Sequence, residues 1–275
     1  MIEHYFEDER IILHYYKFGT GTKNMLCFHG YGMHGKQFRV VEESLGKQYT
    51  FYGFDLFFHK ETKLKDQSLE VVKRGISKRE LGKLFLGFCQ KNDINTFSIL
   101  AYSMGSHFAT SLVEEIPEQI EEVFIAAPSS LKPGKFLRFL SGNKVGNKLL
   151  ERLALSDNGM TNLLSILKKT RVIDQQAHDI LLKEIATSEL RFSFYACTIY
   201  LRFLNLDAEK FIDKLNQHQI KSIFIFGERD KSYPAKIGLS VIPKITHAQQ
   251  VVVNEDHNMI NLNFGRTLSS LLHDH

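Results

Sequence analysis

The stretch FSILAYSMGSHFATSLVEEI, Phe97 to Ile116, decides how the rest of the chain is read. Phe97 to Ala101 form a short, largely apolar run of the kind that makes a buried strand, and Phe108, Leu112, Val113 and Ile116 then recur at helical spacing. Between them stands Ala101-Tyr102-Ser103-Met104-Gly105, so a strand becomes a helix within a few residues, with a serine at the bend. A turn that sharp needs small residues on either side of the serine, because its flanks pack directly on neighbouring backbone. Gly105 meets that need, and Ala101 replaces the first glycine of a Gly-x-Ser-x-Gly pattern with the next smallest side chain. Such a bend presents a hydroxyl as a candidate nucleophile. A serine between small residues also occurs in plain strand-to-helix connections, so the reading depends on what the rest of the chain supplies.

Similar short runs occur at Ile11 to Tyr16, Met25 to Phe28, Phe51 to Phe54, Val123 to Ala127, Ile223 to Phe226 and Gln250 to Val253. Most are continuously apolar rather than alternating, which points to a parallel sheet covered by helices on both faces, a doubly wound α/β architecture. The segment EHYFEDERIILHYYKFG has polar residues between two β-rich runs and is expected to make an antiparallel pair at the sheet edge. Between Pro128 and about Leu215 the strand signal disappears and the pattern turns helical, as in NKLLERLAL and AHDILLKEIA. The expected organisation is a core from residues 1–130 and 216–275, interrupted by an all-helical lid at 131–215.

Composition bounds the alternatives. With 275 residues, 43% apolar and 24% charged, the chain is an ordinary globular one. A formal charge of +4 at this size does not argue for nucleic acid, and no zinc-finger spacing, RNP-like aromatic run or arginine-rich tract accompanies it. No H-E-x-x-H helix or other ligand cluster suggests a metal. The amino terminus MIEHYFEDER carries four acidic residues and no apolar core, which is unlike a secretory signal. Three widely spaced cysteines, Cys27, Cys89 and Cys197, suit free thiols in a reducing compartment, and a soluble cytoplasmic protein is expected.

A serine hydroxyl is a weak nucleophile at neutral pH, so a base must lie within hydrogen-bond reach and a third group should orient that base. In SIFIFGERDKSYP, Asp230 lies just past a buried strand, and in QQVVVNEDHNMI, His257 follows the last strand. Each alone has an ordinary reading, as a turn residue and a surface histidine; their joint placement after consecutive strand ends is what counts. Asp256 adjoins His257, but neighbouring residues rarely point their side chains at each other, so Asp230 is the better orienter. The strand after the bend's helix ends in AAPSS, with no carboxylate, and His247 precedes its strand instead of following it.

Taken together, His29-Gly30 after an apolar strand, the Ala-Tyr-Ser-Met-Gly bend, FGERDKSYP and the late His257 resemble the α/β-hydrolase superfamily, single-domain serine hydrolases with a helical cap. The likeness covers roughly residues 10 to 130 and 220 to 270. It implies Ser103 as nucleophile, His257 as base, Asp230 as its partner, and an oxyanion hole from the backbone N–H groups of Tyr31 and Met104, with His29 and Gly30 in the supporting loop. It also implies cofactor-independent hydrolysis, with a carboxylic ester as the leading substrate class. C–C bond cleavage, amide hydrolysis, acyl transfer, a lyase step and a non-catalytic ligand-binding role stay open. A serine at this position argues against epoxide hydrolases and dehalogenases, which share the fold but use a carboxylate. Two departures stand out: DLFFHKET, beginning at Asp55, replaces a Gly-rich turn, and Asp256 precedes the base where the family often has Gly.

The glycines of MLCFHGYGMHGKQF allow a rival reading. Gly30, Gly32 and Gly35 have the G-x-G-x-x-G spacing of a dinucleotide-binding turn, and Asp55 falls 20 residues after Gly35, where a ribose-binding acid is expected. That reading leaves Ser103, Asp230 and His257 unexplained, so the hydrolase reading is preferred and no cofactor is expected. The lid's first part, LKPGKFLRFLSGNKVGNKLLER, carries six basic residues and one acidic residue together with Phe136, Leu137, Phe139 and Leu140. Such a stretch lies on an anionic membrane, meets an acidic substrate, or is a solvated face over a packed lid. Aromatic residues in RFSFYACTIYLRFLNL favour a small-molecule substrate with an apolar acyl or aromatic part.

Overall fold

The apolar runs pair into one sheet. In the computed structural model, residues 2–132, 135–173 and 175–273 are described; for residues 135–137, 176, 177, 180 and 273 the description is of backbone alone. In chain order the elements are β1 (Ile2–Glu7), β2 (Ile11–Phe18), β3 (Lys23–Phe28), α1 (Glu42–Leu45), β4 (Tyr49–Phe54), β5 (Lys63–Leu64), α2 (Leu69–Arg74), α3 (Lys78–Lys91), β6 (Phe97–Tyr102), α4 (Ser106–Glu115) and β7 (Ile120–Ala126). They continue with α5 (Lys135–Gly142), α6 (Lys144–Leu155), α7 (Gly159–Lys169), α8 (Gln175–Glu184), α9 (Ser188–Tyr200), α10 (Ala208–Gln217), β8 (Lys221–Gly227), β9 (Ala248–Val253) and α11 (Leu262–His273).

The sheet runs β1-β2-β4-β3-β6-β7-β8-β9, with the two-residue β5 attached to β2. The β1–β2 and β2–β4 pairs are antiparallel, as the polar break near the amino terminus requires, and every pair from β4–β3 to β8–β9 is parallel. The burial of each strand follows its neighbours. All six residues of β6 are buried, whereas β9, at the edge, alternates half-buried and exposed positions. On the α11 side the core gathers Tyr16, Phe38, Tyr49, Phe51, Phe264 and Leu268, each side chain contributing on the order of 1.5–3 kcal/mol by leaving water. Helix α3 starts where its end can be satisfied. Ser77 and Glu80 cap α3 reciprocally, each side chain accepting from the other's backbone N–H, at 3.2 and 2.9 Å.

Strand order locates the candidate site. The chain leaves β3 to one side for β4 and later returns on the other side as β6, so β3 and β6 flank the point where the winding reverses. Loops at the carboxyl ends of such strands diverge and leave a crevice. The two strands are in register there, Phe28 beside Ala101, which sets His29-Gly30 next to Ser103.

Two units divide the chain. The first comprises residues 1–65, 77–133 and 204–275, and holds the sheet with α1, α3, α4, α10 and α11; the second comprises 66–76 and 134–203, and holds α2 and α5 to α9. This division departs from the expected insertion at 131–215. Helix α10 belongs with the sheet because it is tied to α4: Lys210 Nζ donates to Glu115 Oε1 at 2.7 Å, and the Asp207 amide to Glu114 Oε1 at 3.1 Å. Residues 66–76 join the helical unit through the Ile76 amide on Tyr200 O at 2.9 Å and the Arg202 guanidinium on Lys73 O at 2.6 Å. Among the described residues no helix is long and apolar enough to cross a membrane.

Candidate active site

The bend at Ser103 takes the form its residues demand. Strand β6 ends at Tyr102, a 3-10 turn spans Ser103–Gly105, and α4 follows at once. Ser103 has φ +49°, a left-handed conformation that a non-glycine residue holds only where its surroundings enforce it. The enforcement comes from packing: a side chain at Gly105 would put its Cβ 2.0 Å from Phe28 O, so backbone lies where any larger residue would need space. Gly30 shows the same close approach from the other side, its missing Cβ falling 2.8 Å from the Tyr102 ring and 3.3 Å from Ser103 Cβ.

Three side chains expected to act together do meet. Ser103 Oγ lies 3.2 Å from His257 Nε2, and His257 Nδ1 lies 2.8 Å from Asp230 Oδ2. The other Asp230 oxygen accepts from the amides of Ser232 at 2.8 Å and Tyr233 at 3.0 Å. Burial alone raises the carboxyl's pKa, but the bonds from His257, Tyr233 and Ser232 outweigh it and hold the group below the usual carboxylate value. Asp230 is therefore an anion facing Nδ1. That fixes the Nδ1–H tautomer and turns the Nε2 lone pair toward the serine. The Asp230 side chain is fully buried whereas that of His257 is 35% exposed, so the imidazole is reachable from outside and its partner is not.

The loop carrying His257 is anchored by groups that local sequence patterns do not reveal. The Tyr102 hydroxyl donates to His257 O at 2.6 Å, burial pushing that phenol's pKa upward, and the rings of Tyr102 and Tyr233 each sit 5.4 Å from the imidazole. Asp256 takes no part in orienting His257: its Oδ1 accepts from the Asn258 amide at 2.8 Å. His247 lies exposed before β9, its carbonyl accepting from the Ser222 amide at the opposite end of the strands.

Two further hydroxyls escaped the sequence reading. Ser103 O accepts from Ser106 Oγ at 2.6 Å and from Ser129 Oγ at 2.8 Å, and Ser106 Oγ also accepts from the Ser130 amide at 2.9 Å. Ser106 stands three residues past Ser103, a spacing at which hydroxyls bond a preceding carbonyl, so its role leaves a local trace. Ser129 leaves none, since its partner is 26 residues away and it arrives there after Ala127 turns the chain at φ +47°.

His29 is a clamp. Its Nε2 accepts from the Leu56 amide at 2.9 Å and its Nδ1 faces Gly30 O at 2.6 Å, which joins the loops after β3 and β4. Burial, with neighbouring His59, pushes its pKa well below the ordinary 6.5, so the ring is neutral and its proton sits on Nδ1. Tyr31 follows Gly30 and packs edge-on against His59 at 5.2 Å, and Met104 follows Ser103 within the 3-10 turn. The DLFFHKET segment builds its turn without glycine, through left-handed Phe58 (φ +61°) and Lys60 (φ +48°). The Thr62 hydroxyl holds that turn by donating to Asp55 O at 2.6 Å, and His59 Nε2 accepts from the Gly32 amide at 3.0 Å.

Asp55 weighs against the rival reading of the glycines. Its Oδ1 accepts from the Gly35 amide at 2.8 Å and its Oδ2 lies 2.7 Å from His14 Nδ1, all in the interior. The carboxylate that would hold a ribose is committed to the very glycine loop it would serve beside.

The alpha/beta hydrolase fold family matches residues 23–261. No curated protein matches the chain. Among solved structures it is similar to MGS-M2, an alpha/beta hydrolase enzyme from a Medee basin deep-sea metagenome library, at 15% identity and a TM-score of 0.69, covering 98% of this chain and 96% of that one. It is similar also to a thermophilic esterase from Thermogutta terrifontis (12% identity, TM-score 0.70, 100% and 97% covered) and to a hydrolase from Pseudomonas aeruginosa PA01 (13%, 0.69, 99% and 97%). At these identities the likeness to the solved structures is one of fold. The parallel sheet with its reversal at β3 and β6, the strand-bend-helix at Ser103 and the family match over most of the chain agree: this protein belongs to the alpha/beta hydrolase fold family.

Proposed function

We propose that the protein is a cofactor-independent serine hydrolase that cleaves carboxylic esters through an acyl-enzyme. The observation that carries this reading is the continuous line of hydrogen bonds from Ser103 Oγ through His257 to buried Asp230, at 3.2 and 2.8 Å. His257 Nε2 takes the Ser103 proton as Oγ attacks the ester carbonyl, and Asp230 stabilises the imidazolium that forms. The amides of Tyr31 and Met104 receive the oxyanion, a reading supported by the approach of Gly30 to Ser103. His257 then returns the proton to the departing alkoxide. In the second half, water attacks the acyl-Ser103 as His257 takes its proton, and His257 then passes that proton to Ser103 Oγ as the acyl–oxygen bond breaks and the carboxylic acid leaves.

An ester is favoured over an amide or a carbon–carbon bond because an alkoxide departs with less proton donation than an amine or a carbanion. The proposed substrate is a small molecule with an apolar acyl or aromatic part, in keeping with the Tyr102 and Tyr233 rings beside His257. A reducing cytoplasm is the proposed setting, in keeping with Cys27, Cys89 and Cys197, which lie buried and outside any disulfide among the described residues. The test is turnover of a p-nitrophenyl ester series of increasing acyl length. Wild type should hydrolyse members of the series, and Ser103→Ala should lose roughly four to six orders of magnitude. Equal turnover in Ser103→Ala, or none by folded wild type, would overturn the proposal.

A further inference from the structure

Helices α5 to α7 carry a surface that the hydrolase reading does not use. From Arg138 to Val172 there are seven basic residues and two acidic ones, a local charge of +5 in a chain whose total is +4. The same 35 residues hold six of the fifteen large apolar side chains that stand exposed among the described residues: Phe139, Val145, Leu149, Leu155, Ile166 and Val172. Neither feature alone would distinguish this region from an ordinary solvated face. Their coincidence in one eighth of the chain does.

Helix α6 shows how the two are interleaved. Gly146, Leu150 and Ala154, four residues apart, are its buried stripe. On the opposite side Val145, Lys148, Leu149, Arg152 and Leu155 recur at spacings of three and four, all exposed, with Val145 75% and Leu155 54% accessible. Glu151 does not neutralise this face: it is half-buried and ion-paired with Lys73 at 2.8 Å. Asp157, beyond the helix end, is fully exposed and 3.8 Å from Arg191. Arg138 and Phe139 repeat the cation-plus-apolar pair on the exposed side of α5, and Ile166 and Lys169 do so on α7. Phe136 and Leu137, also expected in this stretch, lie outside the residues whose side chains are described.

We propose that the exposed face of α5 to α7 docks on an anionic lipid bilayer, with Lys148 and Arg152 at the headgroups and Val145, Leu149 and Leu155 entering the acyl boundary. A bilayer is the partner whose chemistry matches both halves of the pattern: negative charge in a plane, with hydrocarbon directly beneath it. A nucleic acid would engage the cations and leave the exposed aliphatic side chains in water. The docking does not depend on the proposed catalytic chemistry, since none of these residues belongs to it.

Co-sedimentation with phosphatidylcholine vesicles, with and without phosphatidylserine, tests this. The full chain should bind the phosphatidylserine vesicles at low salt, release from them at high salt, and pass over phosphatidylcholine alone. Lys148→Gln/Arg152→Gln should weaken that binding about 25-fold, near five-fold per cation. Val145→Ser/Leu149→Ser should weaken it about ten-fold or more with the cations intact, a result that simple charge attraction would not give. Unchanged melting temperatures would show that each variant folds. Absence of binding to either vesicle, equal binding to both, binding to heparin in place of vesicles, or retention of wild-type affinity by both double variants would each overturn the proposal.

Discussion

Replacing Asp230 with Asn isolates the orienting role of the buried carboxylate. Asp230 Oδ1 accepts from two amides, of Ser232 and Tyr233, so an asparagine must keep its carbonyl oxygen there and turn its NH2 toward His257 Nδ1. The imidazole then has to accept at Nδ1, which moves its proton to Nε2. An Nε2–H pointing at Ser103 Oγ, 3.2 Å away, cannot remove the serine proton. A wrong tautomer in an otherwise intact site lowers kcat on the order of 10⁴-fold, about 5.4 kcal/mol of barrier. Stability should change far less, by about 1–2 kcal/mol, because every hydrogen bond at the position keeps a partner and only its charge is lost. The control is Asp256→Asn, which removes a charge of the same sign next to the base but touches a carboxylate bonded to the Asn258 amide, and should leave kcat within about three-fold. Steady-state kcat and kcat/KM on a p-nitrophenyl ester, with urea unfolding of each variant, provide the comparison. An Asp230→Asn enzyme within ten-fold of wild type, or an Asp256→Asn enzyme that falls as far, would refute this reasoning.

Two other predictions follow from buried polar groups. Ser129→Ala removes one of two hydroxyls donating to Ser103 O and should lower kcat about ten-fold with little change in KM, at about 1 kcal/mol of stability; a kcat unchanged within two-fold would show that the bond does not position the nucleophile. His29, His59 and His107 have pKa values lowered by burial, so the folded protein binds fewer protons than the unfolded chain as pH drops below about 6.5. Their contribution is fully present above that pH and is lost on acidification, by up to about 1.4 kcal/mol per pH unit for each ring that stays neutral. Urea midpoints measured from pH 7.5 down to 5 should therefore fall, and a flat or rising profile would contradict the neutral assignment.

The features legible in the sequence are those whose determinants are local. The residue types that make the strand, the small-flanked bend at Ser103 and the helix all lie between Phe97 and Ile116, so the three could be read together, and the parallel sheet followed from apolar runs that need cover on two faces. Asp230 and His257 were legible by position, because loops after parallel strands converge on the same edge. What escaped depends on distance in the chain. Nothing in LEVVKR says that it packs with residues more than a hundred positions later, and α10 shares its helical pattern with the inserted helices while its ion pairs tie it to α4. Phe58 and Lys60 adopt left-handed backbone that composition disfavours, held by a threonine hydroxyl and two histidines whose partners lie in other loops. The glycine spacing around Gly35 was ambiguous for the same reason: the fate of the Asp55 carboxylate is decided by His14, 41 residues away.

The central claim is that Ser103 is a nucleophile activated by His257, and it is tested most directly by a fluorophosphonate probe followed by peptide mapping in wild type and His257→Ala. The geometry predicts one fast adduct, on the peptide containing Ser103, that slows by roughly four orders of magnitude or more when the imidazole is removed from a protein that remains folded. An adduct absent from Ser103, or one that forms there equally fast without His257, would contradict the claim.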